Sequence, residues 1–255
     1  MPDAFSRARL LFGADGMERL KRARVAVFGL GGVGGYVTEA LARSGIGALD
    51  LIDDDRVCLT NMNRQILATT ETIGRYKAEV ARERIVTINP KAAVNIYKIF
   101  FGPDTAEEFD FARYDYIADA IDTVTGKLEL VTRAQSAGTR IISCMGAGNK
   151  INATGWEVAD IYQTSMCPLA RVMRRELKKR GVKNLKVVYS KEVPIMPIED
   201  IKTGKDIKAG EDIETPGMSR DQNRRSIPGS VAFVPAAAGL IMAWEIVRDL
   251  LAIGD

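Results

Sequence analysis

Histidine is absent from this chain of 255 residues. Its absence removes the commonest general base, the usual nitrogen ligand of zinc, and any nucleophile pair of the Ser-His or Cys-His type. Whatever chemistry the chain performs must therefore use carboxylates, lysine, arginine, cysteine, backbone dipoles, groups of the substrate or a hard metal ion.

Cysteine is scarce, and Cys58, Cys144 and Cys167 are the three that the chain contains. No two of them form a Cys-X-X-Cys pair, and because histidine is absent as well, we expect no tetrahedral structural zinc site. Their odd number and wide spacing favour reduced thiols over a disulfide framework. We therefore expect a cytoplasmic protein.

Long hydrophobic runs are also missing, and no apolar leader opens the sequence. The most apolar late stretch, residues 231–246, is short and is followed closely by Arg248. We expect no integral membrane insertion. An amphipathic helix over 231–251 leaves open a peripheral membrane contact or a contact with a twin subunit. The net charge of +3 is too small to indicate a partner.

Hydrophobic runs and helical patterns alternate over the first 150 residues. The strand candidates are 24–28, 48–53, 93–99, 115–119 and 140–145, and the helix candidates are 32–44, 74–88 and 124–137. This alternation predicts an α/β fold that is Rossmann-like, with a doubly wound, mostly parallel sheet and helices on both faces. A helical lead-in is expected over 1–23.

The pattern changes after Gly148, where the sequence predicts an extension of the sheet by further strands. Alternating residues over 155–164 and an apolar run over 185–190 indicate strands, and residues 167–181 have the pattern of a helix. Residues 191–229 are rich in proline, glycine and charge. We interpret them as a long crossover loop, with a disordered insertion as the alternative.

A glycine-rich turn follows the first strand, with glycines at 29, 31, 32 and 34. Glycines allow the backbone to approach a phosphate closely, and the helix that follows offers free N–H groups at its N-terminus. Asp53 ends the second strand, where an acid that binds ribose belongs. These features alone fit a dinucleotide-dependent dehydrogenase as well as other nucleotide enzymes.

The residues after Asp53 favour a triphosphate. Arg64 and Lys77 supply two cations near the glycine-rich turn, which suits the charge of β- and γ-phosphates better than a pyrophosphate diester. Asp119 and Asp122 follow the fourth strand, and a carboxylate at the carboxyl end of a strand is well placed to hold Mg²⁺. Each charge alone fits a solvated surface, but their joint placement predicts ATP with Mg²⁺.

Four stretches, "GLGGVG", "DDDRVCLTNMNRQ", "GRYKAEVARERIVTINP" and "AIDT", resemble the ubiquitin-activating-enzyme-like (HesA/MoeB/ThiF) superfamily of adenylyltransferases. The resemblance implies ATP as the nucleotide and a core over residues 1–150 that binds it. The implied ATP-binding residues are Gly29, Gly31, Gly32, Gly34, Asp53, Asp55, Asn61, Arg64, Gln65, Lys77 and Asp122. The implied catalytic residues are Arg7, Arg64, Lys77 and Asp122, with Asp122 as the metal ligand. Arg7 matches an arginine that reaches into the partner subunit's site, which implies a homodimer.

The second half, "MGAGNKINATGWEVADIYQTSMCPLARVMRRELKKRGVKNLKVVYSKE", resembles the branch of that superfamily that dehydrates threonylcarbamoyladenosine in tRNA. The branch implies that residues 151–255 bind tRNA within the same α/β domain. Residues 171–191 contain nine lysines and arginines and one acid. On the expected helix, Leu169, Met173 and Leu177 face the core. The residues expected to point outward are Arg171, Arg174, Arg175, Lys178 and Lys179. Such a face suits a phosphate backbone, or else it is an ordinary charged surface.

Two other functions stay open at this stage. One is an adenylyltransferase that activates the C-terminus of a ubiquitin-like sulfur-carrier protein, and the other is a nucleotide-binding protein without activity. The missing Cys-X-X-Cys pairs and the absence of cysteine from residues 168–255 argue against the first. The presence of Arg64, Lys77 and Asp122 argues against the second. A sulfur-transfer partner protein also stays open.

Overall fold

The computed structural model describes residues 3–198 and 228–254. The helices are α1 (Ser6–Arg22), α2 (Gly34–Arg43), α3 (Lys77–Ile88), α4 (Val124–Ser136), α5 (Pro168–Lys179) and α6 (Phe233–Leu251). The strands are β1 (Arg24–Phe28), β2 (Ala48–Ile52), β3 (Ala93–Tyr97), β4 (Tyr116–Asp119), β5 (Arg140–Cys144), β6 (Trp156–Asp160) and β7 (Lys186–Ser190). Residues 199–227, most of the predicted crossover loop, lie outside the described ranges.

The strands form one sheet in the order β3-β2-β1-β4-β5-β7-β6. All neighbours are parallel except β6, which runs antiparallel to β7. The chain leaves β1 toward β2 on one side and returns to β4 on the other, so the loops after β1 and β4 diverge. This divergence opens a crevice at the carboxyl edge of the sheet, where ligands bind in such folds. The expectation of a mostly parallel, doubly wound α/β fold is confirmed.

Two hydrophobic clusters cover the two faces of the sheet. Val25 and Val27 of β1 pack in the cluster formed with α1, α2, α3 and α6. The alternate residues Ala26 and Phe28 pack in the cluster formed with α4 and α5. The run of apolar residues in β1 is thus explained, because a central parallel strand buries both of its faces.

Several elements begin or end within a few residues of the predicted positions. Helix α3 begins at Lys77 rather than at 74, because Gly74 has a left-handed φ of +84° that cannot continue a helix. Strand β6 is shorter than predicted, because Ile161 begins a 3₁₀ turn whose Tyr162 N–H bonds to the Asp160 carboxylate at 2.8 Å. Helix α1 is kinked at Gly13, which has non-helical backbone angles.

Helix α6 packs against α2, and its N-terminal end lies close to the glycine-rich turn. A Cβ on Gly239 would lie 2.5 Å from the carbonyl oxygen of Val33, so no side chain fits at this crossing. Among residues 3–198 and 228–254, none of the helices combines the length and the apolar character that a membrane span requires.

The prediction for the basic helix α5 is confirmed on its buried side and wrong for one arginine. Met173 and Leu177 are fully buried, as expected, and Leu169 is half-buried against the same cluster. Arg174 does not point outward: it is half-buried, and its Nη1 donates to the carbonyl oxygen of Thr164 at 2.8 Å and to the Thr164 hydroxyl. This guanidinium joins α5 to the preceding loop, because a buried carbonyl needs a donor.

Candidate nucleotide-binding site

The glycine-rich turn between β1 and α2 has no room for side chains at two positions. Gly29 has a φ of +86°, and a Cβ there would lie 2.7 Å from the carbonyl oxygen of Ala120. A Cβ on Gly34 would lie 1.7 Å from the carbonyl oxygen of Gly29. Helix α2 begins directly after this turn, and its N-cap residue Val33 provides no side-chain cap. The N–H of Gly35 already donates to the carbonyl oxygen of Gly31 at 3.0 Å, so within the described residues it is the amide of Gly34, the first of α2, that remains available to an anion.

Asp53 joins the end of β2 to the glycine-rich turn. Its Oδ2 accepts the backbone N–H of Leu30 at 2.5 Å, and its Oδ1 accepts the backbone N–H of Asp55 at 2.8 Å. Burial raises the pKa of Asp53, and this effect exceeds the lowering by the charge of Lys77 and by the two amides. The side chain is 8% exposed, so its carboxylate lies at the floor of the crevice.

Lys77 is the first residue of α3, yet its side chain is buried against acids. Its Nζ donates to Asp55 Oδ2 at 2.7 Å and lies 4.0 Å from Asp53 Oδ1. Burial lowers the pKa of Lys77, but the charges of Asp53 and Asp55 outweigh burial and the pKa is raised. The ammonium is thus kept charged beside the end of β2.

Asn61, Arg64 and Gln65 lie on the loop that follows β2 and approach the glycine-rich turn. The buried Asn61 accepts the backbone N–H of Cys58 at 3.2 Å. A Cβ on Gly32 would lie 3.6 Å from Arg64 Cγ, and one on Gly31 would lie 3.8 Å from Gln65 Nε2. The sequence motif "NMNRQ" therefore forms one wall of the crevice.

Two features of this wall suit a polar ligand. Burial lowers the pKa of the Arg64 guanidinium, which still remains charged at any physiological pH. The Gln65 Oε1 is buried and has no hydrogen-bond partner among the described residues. An unpaired buried amide oxygen is costly, so a ligand or water that donates a hydrogen bond here would relieve that cost.

Asp122 and Asp119 follow β4 but have different surroundings. Asp122 is exposed on the loop between β4 and α4, two residues after Ala120, which contacts Gly29. Asp119 is fully buried and bonds to Lys127 at 3.0 Å. Of the two acids at the end of β4, only Asp122 is open to a ligand at the crevice.

A cluster of acids suited to a divalent cation lies at the end of β2. One carboxylate oxygen from each of Asp53, Asp54 and Asp55 lies within 4.8 Å of the others. Carboxylate oxygens are the ligands that Mg²⁺ prefers, so this donor set fits the ion. Sequence reasoning named Asp122 as the only metal ligand and passed over Asp54, although the run of three aspartates was its signal.

The segment that leads into α6 forms a wall of the crevice that sequence reasoning did not identify. The Asn63 side chain donates to the carbonyl oxygen of Ser230 at 2.8 Å. A Cβ on Gly32 would lie 3.1 Å from Pro235 Cβ. No local pattern predicts this contact, because it joins residues that are distant in the chain.

Arg7, Cys144 and Cys167 lie apart from this group, whereas Cys58 lies in the loop that forms its wall, bonded to Asn61. Arg7 is exposed in the first turn of α1. Cys58, Cys144 and Cys167 are free thiols and all are buried. Cys167, at the start of α5, packs in the cluster with α4. Packing therefore accounts for Cys167, as free cysteine is commonly buried.

This chain is similar to known proteins over nearly its whole length. The model of the ThiF family matches residues 5–255. The chain is 41% identical over 248 residues to the tRNA threonylcarbamoyladenosine dehydratase of Bacillus subtilis, which covers 97% of this chain and 94% of that protein. It is 38% identical over 198 residues to the Escherichia coli protein of the same name, 74% of each.

The fold matches solved structures equally well. The crystal structure of E. coli tRNA N6-threonylcarbamoyladenosine dehydratase, TcdA, in complex with ATP has a TM-score of 0.83 and 32% identity, and covers 98% of this chain and 94% of that chain. The complex of the same enzyme with AMP has a TM-score of 0.83. These structural matches span nearly the whole chain. This chain belongs to the ThiF family.

Proposed function

We propose that this protein is an ATP-dependent dehydratase that cyclises N6-threonylcarbamoyladenosine in tRNA. The observation that carries the proposal is the near full-length similarity to dehydratases of that name, one of them solved with ATP and with AMP. The crevice supports ATP because cations and the open amide at the start of α2 surround a turn that phosphate can approach. We also propose a cytoplasmic location, since the substrate is tRNA and the thiols are free.

In the proposed complex, different residues around the crevice contact different parts of the nucleotide. Asp53 accepts the ribose hydroxyls, and the backbone of Gly29, Gly31, Gly32 and Gly34 faces the phosphates. Arg64 and Lys77 offset the charge of the phosphates, with Asn61, Gln65 and Asp55 completing the polar wall. Asp122 is the proposed Mg²⁺ ligand, and Asp54 extends the donor set.

The proposed reaction needs no nucleophile from the protein, which suits a chain without histidine. A carboxylate oxygen of the threonyl group attacks the α-phosphorus of ATP, and pyrophosphate leaves. The carbamoyl oxygen of the same group then attacks the activated carboxyl carbon, a ring closes, AMP leaves and the urea nitrogen loses a proton. Arg64 and Lys77 stabilise the negative charge that develops on the leaving pyrophosphate, and a bound Mg²⁺ would add to that stabilisation.

The proposed active unit is a homodimer in which Arg7 enters the partner subunit's site. Its exposure on α1 supports this role, because the side chain is available to a second copy of the chain. Heterodimers of an Arg7→Ala chain and a Lys77→Ala chain contain one site with both residues intact. We expect them to recover up to about half of the wild-type activity per dimer. Verified heterodimers with no recovery would exclude the shared site.

The basic face of α5 supports a contact with the phosphates of tRNA, and the structure sorts its cations into two sets. Glu176 holds three of them at 2.9–3.3 Å, namely Arg175, Lys179 and Arg180. Hydrogen bonds from Lys179 and Arg175 lower the pKa of Glu176 to about 2. The exposed residues Arg171, Lys178 and Lys183 have no acidic partner within the described ranges. We infer that this second set faces tRNA.

A matched pair of triple variants tests that surface. Replacing Arg171, Lys178 and Lys183 by glutamine should weaken tRNA binding and reduce the slope of log affinity against log salt by about three. Replacing Arg175, Lys179 and Arg180 by glutamine removes the same charge but should change the slope less. ATP affinity should stay unchanged in both. Equal losses in the two variants would reject the assignment.

The function itself is tested with purified protein, Mg-ATP and tRNA that carries threonylcarbamoyladenosine. Mass spectrometry of the digested tRNA should show the loss of one water, and labelled ATP should yield AMP. Asp122→Ala should nearly abolish turnover. Tight binding of NADH without binding of ATP would refute the proposal. Adenylation of a sulfur-carrier C-terminus with unchanged tRNA mass, with or without an added sulfur-transfer protein, would establish the alternative function instead.

A further inference from the structure

Three polar side chains form a fully buried cluster between β4, β5 and α4. Lys127 Nζ donates to Asp119 Oδ1 at 3.0 Å and to Ser143 Oγ at 3.3 Å, and the Ser143 hydroxyl donates to Asp119 Oδ2. None of the three is more than 1% exposed. Burying a lysine and an aspartate carries a large desolvation cost, and apolar residues of similar size are often at least as stable. Stability alone is therefore a weak explanation for this cluster.

The cluster lies at the root of the loop that carries Asp122. Asp119 Oδ1 also accepts the backbone N–H of Ile121 at 3.2 Å. The N–H of Ala120 donates to the carbonyl oxygen of Phe28 at 2.8 Å, next to the glycine-rich turn. The two residues that precede Asp122 are thus fixed on one side to the cluster and on the other side to β1.

Helix α4, which follows the loop, begins without the usual side-chain cap. Its N-cap residue Thr123 makes no capping bond, and the buried Thr123 hydroxyl has no hydrogen-bond partner in the described part of the chain. A helix start that lacks its side-chain cap is less stable than a capped one. Lys127, one turn into α4, instead reaches back to Asp119 and closes the loop from the helix side.

We propose that Lys127 is a positioning residue for the reaction with ATP. Together with Asp119 and Ser143 it fixes residues 120–123, so that Asp122 faces the phosphates beside the glycine-rich turn. Lys127 itself touches neither ATP nor tRNA, because it is enclosed by protein. The inference rests on the proposed function, which assigns Asp122 to Mg²⁺.

The test compares two variants with the wild-type enzyme. Lys127→Met keeps an unbranched side chain that is one atom shorter, and it leaves the Asp119 charge unpaired. The double variant Lys127→Met/Asp119→Asn removes both charges and keeps an oxygen that can accept the Ile121 N–H, so it remains available if the single variant fails to fold. For the double variant we expect kcat about tenfold lower, KM for ATP within about twofold, and a half-saturating Mg²⁺ concentration about fivefold higher.

A second readout does not depend on turnover. Hydrogen exchange followed by mass spectrometry should show faster exchange in the peptide 118–126 of the double variant, and unchanged exchange in the peptide 24–36. The control is Lys186→Met/Asp249→Asn, which breaks another lysine–aspartate pair, of 2.7 Å, far from the loop. It should leave both the Mg²⁺ requirement and the exchange of 118–126 unchanged.

The outcomes separate the two hypotheses. A wild-type enzyme that dehydrates no tRNA refutes the proposed function, while the exchange experiment still decides whether Lys127 holds the loop. An active wild-type enzyme with a double variant of equal kcat, Mg²⁺ requirement and exchange overturns the positioning role. Activity lost only in proportion to unfolded protein, with Mg²⁺ requirement and exchange unchanged, overturns it as well.

Discussion

Two regions at the carboxyl edge of the sheet each bury a lysine beside carboxylates, and they differ in what surrounds the pair. After β2, Lys77 pairs with Asp55, whose side chain is 37% exposed. After β4, Lys127 pairs with Asp119, whose side chain is fully buried. In the first region, called the open region, a phosphate could replace the Asp55 carboxylate at Lys77, because the exposed Asp55 side chain can rotate toward solvent. The second region, called the closed region, is enclosed by protein, so its pair can act only on the surrounding loop and helix.

Breaking the lysine–aspartate pair is therefore expected to have different consequences in the two regions. In the closed region, the unpaired carboxylate of Asp119 cannot be rehydrated, so we expect the largest effect of the break on stability. In the open region, the unpaired carboxylate of Asp55 can be rehydrated, so we expect the loss to be mainly one of ligand binding.

The largest effect is expected for Lys127→Met on stability. The substitution leaves a buried charge unpaired, and such losses cost about 3–5 kcal/mol of the free energy of unfolding. Urea denaturation of both proteins followed by circular dichroism measures the difference. A change below about 1 kcal/mol would show that the closed region tolerates the charge, contrary to the comparison.

The next effect is expected for Lys77→Ala on catalysis. Loss of one cation at the leaving phosphate should lower kcat/KM for ATP by at least about 100-fold, or about 3 kcal/mol. The loss in the free energy of unfolding should be smaller than for Lys127→Met. Lys77→Arg keeps the charge and serves as the control. An unchanged kcat/KM in Lys77→Ala would show that Lys77 does not stabilise the leaving phosphate.

A smaller effect concerns pH. Because the pKa of Lys77 is raised in the folded protein above its ordinary value of 10.5, the stabilisation from its charge is fully present below that value and is lost as pH rises beyond it. The difference in unfolding free energy between wild type and Lys77→Met should stay constant from about pH 7 to 10 and change above about pH 10.5. Urea titrations across this range provide the measurement. A change that begins below pH 9 would contradict the assignment.

The smallest effect concerns thiol labelling. Burial raises the pKa of Cys144, which follows Ser143 in the closed region, to about 12. Cys58 lies in the loop that forms the open region and is 7% exposed. Iodoacetamide at pH 8.5 should therefore modify Cys58 before Cys144, and Cys144 only after unfolding. Peptide mapping after timed labelling gives the order, and early modification of Cys144 would show that β5 opens next to the closed region.

Local pattern predicted the strands and the open region well. Apolar runs and the glycine motif place β1, β2 and β4 next to one another, and the carboxyl ends of parallel strands meet at one edge. The structure accordingly brings Asn61, Arg64, Gln65 and Lys77 together around the glycine-rich turn. Their assignment to ATP is still a prediction.

The closed region could not be predicted from local pattern. The sequence grouped Asp119 with Asp122 as charges at the end of one strand. The structure turns Asp119 inward, because its partners Lys127 and Ser143 come from the next helix and the next strand, whose register no short motif encodes. The prediction that Arg174 points outward is wrong for the same reason, because its acceptor Thr164 lies on a loop outside the helical pattern.

The close crossing of α6 and α2 affects any attempt to divide the molecule. A fragment that ends at residue 150 would contain each residue assigned to ATP, yet it would lack Pro235 and Gly239, which pack against the glycine-rich turn and the start of α2. The proposed nucleotide pocket thus takes its walls both from the β1–α3 part of the chain and from α6. Two separately expressed halves should bind ATP only after they reassociate. ATP binding by the mixed halves would therefore report the docking of α6 onto α2.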